Sequence, residues 1–147
     1  MIRRHDFIVT RLATLARACG CPVSVEPRLG LPSTTVPRPD LVILTTHGPV
    51  YVDVADTTKS IKKMESSKSS DYAVYIAAQR AKFFLFVVNP FGSMGVKAVE
   101  LLRLLATEAT INYVSKESSS YLLHAMAVAV QKANLVFICS INLAMFD

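Results

Sequence analysis

The spacing of hydrophobic residues changes along the chain, and each change of period predicts a boundary between a helix and a strand. Apolar residues recur at helical spacing over residues 6–19 and stop at Gly20, which predicts an amphipathic helix. A short apolar stretch over residues 21–26 predicts a first strand. Residues 27–39 contain four prolines, so this stretch is expected to form an extended loop.

Residues 41–55 carry the clearest strand pattern. Two apolar, β-branched runs flank a turn-rich stretch, which predicts a β-hairpin. If the turn centres between Thr46 and His47, Asp40 faces Asp53 across the two strands. Directly opposed side chains have Cβ atoms about 4.5–5.5 Å apart, and like charges at that distance destabilise the pair unless a cation lies between them. If the turn lies one residue away, the two aspartates fall on opposite faces, and spacing alone leaves both registers open.

The second half of the chain is predicted to alternate helices with one buried strand. A helix is expected over residues 71–82, followed by a nearly all-apolar central strand over residues 83–88 that is covered on both faces. A third helix is expected from Val96 and a fourth after Ser115, while residues 135–146 fit a helix or a strand. This order of elements predicts an α/β fold.

Composition indicates a globular domain with a basic surface. The 147 residues are 52% hydrophobic and 18% charged, which argues against disorder and predicts one domain over residues 1–147. The formal net charge of +5 favours a polyanionic partner. A lysine- and serine-rich stretch over residues 58–70 suits contact with a phosphate backbone, and a solvated loop is the alternative. The candidate nucleic-acid-binding residues are Lys59, Lys62, Lys63, Lys68 and Arg80.

The sequence lacks the features expected of membrane-spanning and disulfide-bonded proteins. Its longest apolar stretches are about ten residues, whereas a bilayer span needs about 20. The N-terminal residues do not contain the apolar core of a signal peptide. Three cysteines, an odd number, suit a reducing intracellular compartment. The apolar C-terminal helices are expected to offer a homodimer face.

The aspartate pair is the strongest candidate for chemistry. Mg²⁺ keeps several waters and takes only one or two protein carboxylates, so Asp40 and Asp53 suffice as its side-chain ligands. Glu26, on the first predicted strand, fits either a third ligand or a surface glutamate. No Gly-x-Ser-x-Gly pattern supports nucleophilic hydrolysis. The three histidines are scattered along the sequence: His5, His47 and His124.

The stretches Arg38-Pro39-Asp40 and Val52-Asp53-Val54 resemble the PD-(D/E)XK nuclease superfamily, in which Pro-Asp opens one strand and a second acid lies within the next. More narrowly, the chain resembles the restriction-endonuclease-like domain at the C-terminus of some non-LTR retrotransposon polyproteins. Further similar stretches occur in the family's order: Arg4-His5-Asp6, Val25-Glu26-Pro27-Arg28, residues 86–95 and residues 128–134. The resemblance implies an αβββαβ core with additional C-terminal helices, cleavage of DNA with Mg²⁺ or Mn²⁺, and a nuclear location.

The superfamily's lysine is missing from its usual place. The motif continues as acid-x-Lys, and this chain has Ala55 where that lysine would stand. In the retrotransposon-type branch the lysine moves to the following helix, so the resemblance assigns its role to Lys82, which ends the predicted helix. The alternatives are Lys59, Lys62 and Lys63.

The resemblance therefore implies a complete set of site residues. The implied catalytic residues are Asp40, Asp53 and Lys82. The implied metal ligands are Asp40, Asp53 and the backbone carbonyl of Val54, with Glu26 as a further candidate. Because Ala55 carries no charge, a catalytically inactive nucleic-acid or protein binding module on the same fold is the alternative. A third possibility is an interaction module unrelated to nucleic acid, which the apolar tail favours.

Overall fold

The computed structural model describes residues 4–25, 39–57, 60–65, 82–112 and 121–132. These residues form a mixed α/β fold with one open four-stranded sheet and four helical segments. The elements in chain order are α1 (Arg4–Ala18), β1 (Val23–Val25), β2 (Leu41–Thr45), β3 (Gly48–Asp56), α2 (61–65), β4 (Lys82–Val88), α3 (Val96–Ile111) and α4 (121–132).

The strands lie in the order β1-β2-β3-β4. β1 and β2 pair antiparallel, as do β2 and β3, and β4 runs parallel to β3. Antiparallel strands need only a tight turn, whereas a parallel pair needs a crossover of about a dozen residues or more. β3 ends at Asp56 and β4 begins at Lys82, so the intervening chain is long enough for such a crossover.

The hairpin register places Thr46 and His47 at the turn, as the strand pattern predicts. Leu41 is opposite Val52, and the pairing continues without a slip to Thr45 and Gly48. At the turn, the Thr45 hydroxyl donates to the Gly48 carbonyl at 2.8 Å and accepts the backbone N–H of His47 at 3.2 Å. Gly48 has φ +114°, a left-handed conformation that favours glycine.

A buried carboxylate from α3 also holds this turn. Glu108 is 2% exposed. One of its oxygens accepts the backbone N–H of Thr46 at 3.1 Å, and the other accepts the Thr46 hydroxyl at 2.9 Å. A side chain far along the sequence therefore fixes the turn that sets the register.

The two faces of the sheet bury different clusters. Val50, Val52 and Val54 of β3 lie with Phe86 and Val88 in the main core, which also contains apolar residues of α1, α3 and α4. Ala55, Leu85 and Val87 form a second cluster on the other face, packed against Ile61 and Met64 of α2. The prediction that the 83–88 strand is covered on both faces is confirmed. Its predicted central position is not, because β4 is at the edge of the sheet formed by the described strands.

Cys19 and Cys21 are buried thiols beside the main core. Burial raises the pKa of the Cys21 thiol to about 11, and the nearby Glu108 carboxylate adds to the shift. The thiol therefore stays protonated and apolar at neutral pH, as a core position requires.

Other predicted elements differ from the structure or lie outside the described residues. The helix predicted over 6–19 begins at Arg4, and the predicted first strand is reduced to Val23–Val25. Lys82 does not end a helix: it is the first residue of β4. Four predictions fall wholly or mostly outside the described residues: the 27–39 loop, the 71–82 helix, the start of the fourth helix and the C-terminal tail. No helix in the described part of the chain is long and apolar enough to cross a membrane.

Candidate functional site

An open cleft of about 520 Å³ lies where the start of β2, the end of β3 and the first turn of α1 meet. Carboxylates dominate its polar lining. The residues that line it are His5, Asp40, Asp53, Val54, Ala55, Asp56 and Met64.

Asp40 and Asp53 meet in this cleft. Asp40 directly precedes Leu41, whose partner on β3 is Val52, so the next position of the register brings Asp40 opposite Asp53. Asp53 is only 6% exposed, and its side chain contributes to lowering the pKa of Asp40. The predicted convergence of the two acids is therefore present in the structure.

Asp40 is held by donors from two other elements. Its Oδ2 accepts the backbone N–H of Val54 at 2.8 Å and lies 3.1 Å from Nε2 of His5. Burial alone would raise the pKa of Asp40, but the hydrogen bonds with His5, Asp53 and the Val54 N–H together lower it. The same contact with Asp40 raises the pKa of His5 to about 9, against the opposing effect of burial. At neutral pH, His5 and Asp40 therefore form an ion pair.

A second ion pair involves Asp56, which also lines the cleft. Arg4 Nε lies 3.1 Å from Oδ2 of Asp56, and both side chains are largely buried. Burial raises the pKa of Asp56, while the charges of Arg4 and His5 act in the opposite direction. The first turn of α1 thus brings two cationic side chains to the carboxylates of this cleft.

The place of the motif lysine is filled by a methyl group. Ala55 is two residues beyond Asp53 on the same face of β3, and it is buried in the second cluster. The methyl side chain of Ala55 cannot donate a hydrogen bond or carry a charge.

Lys82 lies away from the cleft. Its partner on β3 is Val50, whereas the partner of Asp53 is Leu85. Three residues along a strand span about 10 Å, and an odd separation places the two side chains on opposite faces. The sequence-based prediction that Lys82 reaches the aspartates has no support in this placement.

The remaining predicted residues divide into two groups. Lys62 and Lys63 are exposed on α2, next to Met64, which lines the cleft. The other predicted residues lie outside the described part of the chain: Glu26, Lys59, Lys68 and Arg80. The contact shown for Val54 is made by its backbone N–H, and the predicted role of its carbonyl remains a prediction.

The sequence pattern predicts a role for the two aspartates but none for His5. Its contact with Asp40 joins residues far apart in sequence and depends on how α1 packs against the sheet. The one sequence signal was the triplet Arg4-His5-Asp6, which places three polar side chains at the start of an amphipathic helix.

The cleft suits a hydrated Mg²⁺ ion better than a fully protein-ligated metal. Among the described residues, no three histidine, cysteine, aspartate or glutamate side chains are grouped to hold a metal ion. Asp40 and Asp53 supply two convergent carboxylates, and Mg²⁺ commonly takes only one or two and keeps waters. A cation between them would offset the repulsion between the two carboxylates.

No family model and no curated protein matches this sequence. A function is therefore inferred from the residues of the chain, its fold and the geometry of the cleft.

Proposed function

We propose that this chain is a Mg²⁺-dependent endonuclease that cleaves DNA phosphodiester bonds. The observation that carries the proposal is the meeting of Asp40 and Asp53 in one open cleft, where each is largely removed from solvent. Two acids held this close need a proton or a cation between them. A divalent cation allows both carboxyl groups to be ionised at neutral pH, whereas a shared proton neutralises one of them.

The topology supports a restriction-endonuclease-like core. One helix precedes three antiparallel strands, and a crossover leads to a fourth strand parallel to the third. This is the order that an αβββαβ core requires, and α3 and α4 are then the additional C-terminal helices. In such a core the acids lie at the second and third strands, as Asp40 and Asp53 do here.

The residues of the cleft have different roles in this proposal. Asp40 and Asp53 hold the cation, and His5 and the Val54 N–H hold Asp40. When bound, Mg²⁺ would polarise the scissile phosphate and lower the pKa of a bound water. Lys62 and Lys63, exposed on α2 beside the cleft, are suited to contact phosphates of the DNA backbone without reading its sequence.

A binding module without cleavage is the second candidate. The buried Ala55 and the distance between Lys82 and Asp53 favour it, because neither position delivers a lysine ammonium to the cleft. Such a module would keep the fold and bind nucleic acid or protein through the same surface.

Incubation of the purified chain with supercoiled plasmid separates the two candidates. The endonuclease is expected to nick the plasmid with Mg²⁺ or Mn²⁺ and to leave it intact with EDTA, because the carboxylates act through the cation. A nucleic-acid binding module would slow the migration of the plasmid in a gel and leave it supercoiled with either metal ion. Nicking that persists in EDTA would contradict a metal-dependent mechanism.

Lys82→Ala is expected to cleave at close to the wild-type rate. Lys82 lies on the opposite face of the sheet from Asp53, so its ammonium is not placed to stabilise the transition state. Initial rates of plasmid nicking test this expectation. A loss of about 100-fold, typical of removing one transition-state donor, would return Lys82 to the site and contradict the placement described above.

A further inference from the structure

Asp40 directly precedes β2. Among the described residues, two donors orient its carboxylate, and both bind the same oxygen, Oδ2. The Val54 N–H comes from β3, at 2.8 Å, and His5 Nε2 comes from α1, at 3.1 Å. A carboxylate has two acceptor oxygens, so this arrangement leaves Oδ1 for other partners.

His5 is itself held on both sides. Its Nδ1 lies 3.2 Å from Oδ1 of Asp6, so each ring nitrogen faces a carboxylate oxygen, which only accepts. The helix that carries His5 is anchored by Ile8 and Leu12, both fully buried in the main core. The imidazole ring is therefore fixed in position and orientation before any ligand arrives.

We propose that His5 is a positioning residue that holds Asp40 with Oδ2 towards α1, so that Oδ1 is presented to the divalent cation shared with Asp53. This inference rests on the proposed function, because it assigns His5 a role at the same metal site. His5 acts through Asp40 and binds no metal itself. Partners that orient a metal ligand in this way typically change metal affinity or activity by about 10–100-fold when they are removed.

Calorimetric titration of the full chain with Mn²⁺ tests the role of His5 without any cleavage assay. His5→Ala and His5→Phe remove the donor, and His5→Phe keeps the bulk of the ring. Both are expected to weaken Mn²⁺ binding by about 10-fold or more. His5→Gln keeps an N–H near the position of Nε2 and is expected to recover most of that affinity. His47→Ala, at the exposed hairpin turn, is the matched control and should bind as the wild type does.

Thermal unfolding in EDTA accompanies each titration and shows which variants are folded. Folded His5→Ala or His5→Phe that binds Mn²⁺ as well as the wild type would overturn the inference and leave the proposed function intact. If His5→Gln weakened Mn²⁺ binding as much as His5→Ala does, the inference would also be overturned. The charge of His5, and not its hydrogen bond to Asp40, would then determine the affinity. A wild-type chain that binds no Mn²⁺ would overturn the proposed metal site and this inference together.

Discussion

Asp53→Asn is expected to abolish DNA cleavage and Mn²⁺ binding while the fold remains intact. Asp53 is 6% exposed and lines the cleft together with Asp40. An amide is nearly the same size and can donate a hydrogen bond to Asp40, but it is a poor ligand for Mg²⁺. The rate of cleavage should fall by at least about 100-fold, the scale of losing one electrostatic contribution at a transition state.

The stability of Asp53→Asn should stay the same or rise slightly. Removing one of two facing carboxylates relieves a repulsion that is worth roughly 0.2–1 kcal/mol. Plasmid nicking, Mn²⁺ titration and urea unfolding in EDTA measure the three effects separately. Glu100→Gln is the matched control, because Glu100 is a half-exposed acid on α3 that pairs with Lys97. Cleavage by Asp53→Asn at the wild-type rate would place the activity elsewhere or in a contaminant.

Glu108→Ala is expected to lower the free energy of unfolding by about 1.5–3 kcal/mol, the range for hydrogen bonds to a charged group. The substitution removes both acceptors of the Thr46 N–H and hydroxyl and leaves a cavity between α3 and the hairpin turn. Glu108→Gln should lower the free energy of unfolding less than Glu108→Ala, because its amide keeps one acceptor oxygen.

Urea unfolding of the three proteins, with Glu100→Gln as the exposed control on the same helix, measures the contribution of Glu108. A loss below about 0.5 kcal/mol, the range of an ordinary surface substitution, would show that the hairpin holds its turn without α3.

Local patterns predicted the part of the site that depends on neighbouring residues in the chain. The β-branched runs and the turn between them permitted two registers, and the structure has the one in which Asp40 faces Asp53. Both alternatives had the same local propensities, so the choice depends on contacts at the turn. Those contacts include Glu108, which lies on a helix that no hairpin pattern can anticipate.

Contacts between distant elements were beyond the sequence patterns. The role of His5 follows from the packing of α1 against the sheet. The apolar spacing of α1 predicted which face of the helix is buried, but not which residues that face contacts. The position of Lys82 depends on where the parallel pairing of β4 begins, and that pairing extends one residue further than the apolar run suggested. Because Lys82 lies within the strand, the alternation of side chains places it on the face opposite Asp53.

The support of the β2–β3 turn by α3 means that the hairpin is not a transferable module. A graft of residues 40–56 alone into another scaffold would carry both aspartates but would leave behind the carboxylate that binds Thr46. An insertion or deletion of one residue at the turn would shift one strand against the other and send the two acids to opposite faces. Any redesign of the cleft therefore has to keep the turn length and the α3 anchor together.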